Sequence, residues 1–173
     1  MKVQMAQIKK ILYTTDLSDT SLQAFSYAVS LANCYKASIT ILHVMADDSD
    51  IEPFLMNVLD EDQIQALRNR HHAEAMETLT GKRRANVFAK EAISQFAEDV
   101  KTDFGSLSLD MDEVLVLRGE PAKKILEVSR EHKHDLIVMG THGHGIIEDF
   151  LGSVARKVTR QASIPVLSVP LMK

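Results

Sequence analysis

Four of the seven glycines in this chain fall in one stretch, "LIVMGTHGHGIIEDFLGSVARKV" (136–158), as Gly140, Gly143, Gly145 and Gly152. Glycine is entropically costly unless the backbone needs positive φ or must approach something closely. A phosphate group is one such neighbour, and a plain tight turn is the structural alternative. Gly152 and Ser153 come just before a helical pattern, so backbone amides and a helix N-terminus could cradle an anion together. The second candidate is Asp16, which ends the apolar run "ILYTT" (11–15). Its carboxylate could accept hydrogen bonds from a ribose or a base. The alternative is a helix-start residue whose side chain sits on backbone amides.

Other constellations point to less. No G-x-x-x-x-G-K-[ST] occurs, which excludes the common P-loop. Gly143 and Gly145 begin a G-x-G, but Glu148 stands where a dinucleotide fingerprint needs its third glycine. His142 and His144 lack a third ligand of clear spacing and read as loop histidines. Glu148 and Asp149 could hold Mg²⁺ through water, or be surface acids near a helix start. The cluster "RNRHH" (68–72) is flanked by acids and reads as a solvated helix face, so no nucleic-acid site is expected. Cys34 reads as an inert, partly buried thiol. Ser153 has no sequence-evident histidine partner, and no nucleophile–base pair is visible. No dedicated catalytic apparatus is therefore expected.

These residues must be positioned by elements with their own signatures. Residues 11–15 predict a strand. "DLSDTSLQAFSYAVSLA" places Leu22, Phe25, Val29 and Ala32 on one helical face, with Ser18 or Asp19 as cap. "ASITILHV" (37–44) is β-branched and nearly continuous in its apolarity, as a strand buried on both faces should be. "EVLVLRG" (113–119) predicts a third strand. The helix after it has Pro121 in its first turn and Ile125, Leu126 and Val128 inward. "DLIVMG" is a fourth strand. "FLGSVARKVTRQA" predicts a helix showing Phe150, Leu151, Val154, Val158 and Ala162, and "IPVLSV" a fifth strand with Pro165 at its start. Strands separated by helices require crossover connections and a parallel sheet, hence an α/β domain. In open parallel sheets, ligands sit beyond the C-terminal strand ends where strand order reverses. Asp16 and the glycine loop both lie at such ends, and share a crevice if the first and fourth strands are neighbours.

The segment at about 47–111 is long for one crossover. Ile51, Phe54, Leu55, Val58 and Leu59 are spaced as a short amphipathic helix. A more polar, solvated helix follows and ends near Gly81. Phe88, Ala92, Phe96, Val100 and Phe104 recur every four residues and predict a helix packed on the sheet. The bland reading of the first two pieces is an enlarged loop with some helix; they could also form a flap or a partner surface.

The 173 residues suit one domain with a full core. The chain is 45% hydrophobic and 25% charged, as an ordinary globular protein is. A net charge of −4 supplies no global field toward nucleic acid or anionic membrane. The one cysteine allows no intrachain disulfide, consistent with a reducing compartment. "MKVQMAQIKK" lacks the apolar core of a signal peptide, and no apolar run approaches the roughly 20 residues of a membrane span. A cytoplasmic location is expected.

Together these features resemble the universal stress proteins. The resemblance is carried by "KKILYTTDLSDTSLQAFSYAVSLA", by "ASITILHV", and by the stretch from "RGEPAKKILEVSREHKHDLIVMGTHGHG" to "IPVLSVP"; the segment at 47–111 matches only as a variable helical insertion. Nucleotide-binding members carry G-x2-G-x9-G-[ST] after the fourth strand, and Gly140, Gly143, Gly152 and Ser153 match its fixed residues. Eight residues (144–151) separate Gly143 from Gly152, one fewer than in the pattern. The resemblance implies a single domain over residues 1–173 with a five-stranded parallel sheet in order 3-2-1-4-5, helices on both faces, of the adenine nucleotide alpha hydrolase-like fold. It implies ATP, with Mg²⁺, across the strand one/four crevice. By position, Asp16 is implied as the ribose or adenine contact and Val44 as a wall of the adenine pocket. Thr14 stands where the family often has a small residue or proline. Met139, Gly140, Gly143 and His144 would wrap the nucleotide and its phosphates. Gly152, Ser153 and Val154 would bring amides and a hydroxyl to them. A homodimer through the last strand (165–169, from Pro165 to Val169) is also implied, and at most slow ATP hydrolysis. Two alternatives stand beside this reading: a member acting only by dimerisation and protein interaction, and an enzyme cleaving ATP between its α and β phosphates.

Overall fold

A computed structural model describes residues 6–16, 18–46, 61–62, 65–66, 90–91, 93–95, 110–141 and 151–170. In it the chain runs β1 (Lys10–Thr15), α1 (Asp19–Tyr35), β2 (Ser38–Met45), β3 (Met111–Arg118), α2 (Pro121–Glu131), β4 (Leu136–Gly140), α3 (Ser153–Gln161) and β5 (Val166–Val169). The five strands form one sheet in the order β3-β2-β1-β4-β5. Every pairing is parallel. This is the single-domain α/β architecture that the alternation of elements predicts.

Side chains alternate across the sheet, as the two-residue strand period requires. Ile11, Tyr13, Ile39, Ile41 and Val138 face α1 and bury Phe25, Ala28, Val29 and Ala32. Leu12, Leu42, Ile137 and Met139 point the other way and pack on Ile125, Leu126 and Val128 of α2 and on Ala155 and Val158 of α3. Both faces are thus covered, which is why β2 reads as a nearly continuous apolar run. Ile93 is fully buried in the α1-side core. It is the described residue through which the insertion joins that core. Glu61, Asp62, Gln65 and Ala66 are helical and exposed, in keeping with a solvated face. Ile51, Phe54, Leu55, Val58, Leu59, Phe88, Ala92, Phe96, Val100 and Phe104, as well as 68–72 and the side chains of Asp19 and Leu22, lie outside the described residues.

Three expectations are corrected. The last helix begins at Ser153, with Gly152 as its N-cap, so exposed Leu151 precedes it. The physical reason is Gly152 itself, whose ψ of 153° is extended and cannot continue a helix backward. Cys34 is exposed, because it lies on the solvent side of α1's last turn, away from the stripe of Phe25, Val29 and Ala32. Gly140 does not adopt positive φ; among the described glycines only Gly119 does.

Candidate functional site

β1 lies between β2 and β4, so the chain leaves it in one direction and returns on the other side. At this reversal the C-terminal ends of β1, β2 and β4 meet the first turns of α1, α2 and α3 around a cavity of about 160 Å³. Leu42, Val44, Ile125 and Met139 supply apolar walls, Thr14 and Thr15 lie at the end of β1, and Asp16 stands at the edge. Gly140, Thr141, Gly152, Ser153, Val154 and Ala155 complete the opposite side. The proximity of β1 and β4 comes from their register, in which Thr14 pairs with Met139.

Asp16 has a structural job as well as a place at the cavity. Its Oδ1 accepts from the Ser18 amide at 3.1 Å and from the Ser18 hydroxyl at 2.6 Å. Ser18 is the N-cap of α1, its Oγ accepting from the Ser21 amide at 3.3 Å. The turn into α1 is further tied by Ser21, whose hydroxyl donates to the Ser18 carbonyl and lies 2.9 Å from Thr15 Oγ1. Below them the Tyr13 hydroxyl donates to the Ser21 carbonyl at 2.7 Å. Burial pushes the Tyr13 hydroxyl far above its ordinary pKa, so it remains a donor. His43 on β2 has Nδ1 at 2.8 Å from the Thr15 carbonyl. A carbonyl only accepts, so Nδ1 carries the proton. The peptide from which Asp16 departs is therefore held on both sides, while the second carboxylate oxygen, Oδ2, accepts no hydrogen bond from any described residue.

Across the cavity, α3 begins without a side-chain cap. Its first intrahelical bond runs from the Arg156 amide to the Gly152 carbonyl at 2.9 Å. The amides of Ser153, Val154 and Ala155 consequently have no acceptor among the described residues, and all three residues line the cavity. The positive end of the helix dipole adds to them. The arrangement sets a carboxylate, suited to hydroxyl or N–H donors, across an apolar slot from a helix N-terminus, whose chemistry suits an anion.

Two glycines have different roles from those expected of them. A Cβ on Gly140 would sit 3.0 Å from the Ser21 amide nitrogen and from the Thr20 carbonyl carbon. Glycine is needed there for the close approach of α1 to the end of β4, and its φ is not positive. The Gly152 amide, expected to face a phosphate, donates instead to the Thr141 carbonyl at 2.8 Å. The amides without an acceptor among the described residues begin one residue later, at Ser153.

Thr14, Asp16, Val44, Met139, Gly140, Gly152, Ser153 and Val154 all line the cavity. Gly143 and His144, like Gly145, His142, Glu148, Asp149 and Phe150, lie outside the described residues. The sequence reading missed Thr15, Ser21, Leu42, Pro121, Ile125, Thr141 and Ala155. Some were findable: Leu42 lies two residues before Val44 on the same strand face, and Ile125 one turn after Pro121. Ser21 was not, because only the packing of α1 against β4 brings its backbone to the site. Among the described residues no three His, Cys, Asp or Glu side chains are grouped to hold a metal ion. No described helix is long and apolar enough to cross a membrane.

Residues 7–170 match the sequence model of the universal stress protein family. A universal stress protein of Methanocaldococcus jannaschii is 31% identical over 162 residues, covering 93% of this chain and 81% of that protein. The solved universal stress protein UspA from Lactobacillus plantarum superposes with a TM-score of 0.65 at 25% identity, covering 95% of this chain and 99% of that one. A universal stress protein solved in complex with cAMP shares the fold, with a TM-score of 0.55 at 24% identity over 95% of this chain and 98% of that one.

Proposed function

The chain belongs to the universal stress protein family, and from that premise we propose that it is a cytoplasmic stress-response regulator that binds ATP in the β1/β4 crevice. The observation that carries this reading is the cavity's polarity. Asp16 stands at one edge, three amides of α3 without an acceptor among the described residues at another, and Leu42, Val44, Ile125 and Met139 between them. An adenine nucleotide has the same sequence of chemistry: a flat ring for the apolar slot, ribose hydroxyls for a carboxylate, and phosphates for a helix N-terminus. That a family member of the same fold has been solved with cAMP agrees with this class of ligand.

Mg²⁺ enters with the triphosphate. The phosphates themselves would be its principal ligands, as is usual for this ion. The chain's own residues bind and orient: Asp16 holds the sugar, α3 the phosphates, and Ile125 and Met139 keep water from the ring. At most slow ATP hydrolysis accompanies binding, as the family resemblance allows. A homodimer pairing through β5, the edge strand of the described sheet, would carry the regulatory role. The commitment of the Gly152 amide to Thr141 favours the rival reading, a dimerisation protein without nucleotide, because it removes one donor from the cradle.

Mass spectrometry of the purified protein tests the reading directly. Adenine nucleotide released on denaturation is the expected result. Its absence, together with no calorimetric binding of added ATP with Mg²⁺, leaves the dimerisation protein. AMP and pyrophosphate as products would identify instead an enzyme cleaving between the α and β phosphates.

A further inference from the structure

Lys157 and Glu120 form an ion pair, Nζ to Oε1 3.2 Å, with side chains 58% and 48% exposed. Each stands next to the cavity without lining it. Glu120 precedes Pro121, and Lys157 follows Ser153 by one helical turn; Pro121 and Ser153 both line the cavity. Side chains on a helix lean toward its N-terminus, so the Lys157 ammonium is carried toward the mouth rather than away from it. The pair thus bridges the N-termini of α2 and α3 at the rim.

Glu120 divides its two oxygens. Oε2 accepts from the Lys123 amide at 2.8 Å and caps α2, while Oε1 takes Lys157. The Lys123 amide first, and Lys157 second, hold the Glu120 carboxyl below its usual range. The carboxylate is therefore anchored and the lysine is not: a solvent-exposed pair contributes little to stability. An ammonium on a flexible stem can leave such a partner for a more highly charged one. The amides of Ser153, Val154 and Ala155 can serve only the phosphate against the helix end. A longer phosphate chain extends its charge beyond them, toward a rim where the anchored Glu120 repels it and Lys157 attracts it.

We infer that Lys157, parked on Glu120, makes the site selective for phosphate-chain length, moving to the terminal phosphate of a nucleoside di- or triphosphate and remaining on Glu120 when a monophosphate is bound. The inference rests on the adenine-nucleotide reading of the cavity.

The test is calorimetric titration of AMP and of ATP with Mg²⁺ into the native protein, Lys157→Met and Glu120→Gln. Lys157→Met should weaken ATP about tenfold, the loss of one exposed charge-assisted contact, and change AMP less than about twofold. Glu120→Gln keeps an oxygen for the α2 cap, releases the lysine and removes the repulsion. It should tighten ATP and leave AMP unchanged. Melting temperatures near the native value in both variants show that the fold is intact. Equal weakening of AMP and ATP in Lys157→Met, or no change in either, overturns the inference alone. A native protein that binds neither nucleotide overturns the site reading and this inference with it.

Discussion

The amide of Gly152 donates to the carbonyl of Thr141 at 2.8 Å and closes the glycine-rich loop at its base. Thr141 is in turn tied to β5, its amide donating to the Val169 carbonyl at 2.9 Å. Both ends of the loop are thus fixed to the sheet, whatever the number of residues between them. The short spacing between Gly143 and Gly152 should be absorbed between those anchors, leaving the α3 amides in place. The native protein is expected to bind ATP, more tightly with Mg²⁺, which offsets repulsion from Glu148 and Asp149. Calorimetry on the native protein and on a variant with one leucine inserted after Leu151 checks this. Binding by the insertion variant alone would mean that the missing residue disables the cradle.

Asp16 separates into two roles that substitutions can divide. Asp16→Asn retains an oxygen for Ser18 but loses the charge; Asp16→Ala loses both. Each should weaken ATP by roughly tenfold to a hundredfold, the worth of a charge-assisted hydrogen bond of about 1.5–3 kcal/mol. Only Asp16→Ala should also lower stability, by about 1 kcal/mol, because the turn into α1 loses its acceptor. Chemical denaturation beside binding measurements distinguishes the two losses. Unchanged affinity in both variants would remove Asp16 from the site.

Gly140 should behave as a packing residue first. A methyl group 3.0 Å from the Ser21 amide forces α1 away from β4. Overpacking of this kind costs about 1–3 kcal/mol, so Gly140→Ala should lower the urea midpoint even without nucleotide. Gly140→Val should lower it further and abolish ATP binding by displacing the first turn of α1. A Gly140→Ala protein of native stability would show that α1 yields freely there.

Val166→Pro should dissociate a homodimer while sparing the fold. The Ile137 and Thr141 amides bond the Pro165 and Val169 carbonyls, so residues 165, 167 and 169 face β4. By the strand period the amides of Val166 and Ser168 point to the free edge. Proline removes an outward donor there, which an edge strand tolerates. Analytical ultracentrifugation at micromolar concentration should show a native dimer and a Val166→Pro monomer; a native monomer, or an unaffected dimer, excludes pairing through β5.

His134 should make the protein acid-sensitive. It is 4% exposed, and among the described residues neither ring nitrogen has a partner in hydrogen-bond geometry. Its ring stacks on His132 with centroids 5.9 Å apart. Burial first and His132 second hold its pKa below the ordinary value; the Val128 backbone then pulls it back up, Lys10 lowers it and Asp112 raises it. The unfolded chain therefore binds a proton at higher pH than the folded one. Stability should be complete above the unfolded value of about 6.5 and fall as pH drops from there toward the lower folded value. His134→Leu should flatten the dependence of the urea midpoint between about pH 7 and pH 5. An unaltered slope would assign the acid sensitivity to other groups.

The sequence by itself determined the order of elements, because a strand buried on both faces must be apolar throughout and a helix on that sheet must repeat its apolar residues every three or four. Ile39, Ile41 and Leu42 show the first rule, and Phe25, Val29 and Ala32 the second. It also pointed to Asp16, Gly140, Gly152 and Ser153 at the cavity, since these are residue types whose chemistry is local, whereas Thr14, Val44, Met139 and Val154 came with the family resemblance. Strand order did not follow from periodicity; it came with the family resemblance, whose residues stand in the same chain positions. Only the tertiary structure decided which amides are free. Whether Gly152 offers its N–H to a ligand depends on the Thr141 carbonyl, and whether Gly140 must be glycine depends on the first turn of α1, far away in sequence. Those are contacts between elements, and a backbone donor carries no sign in its residue type of the acceptor it will meet.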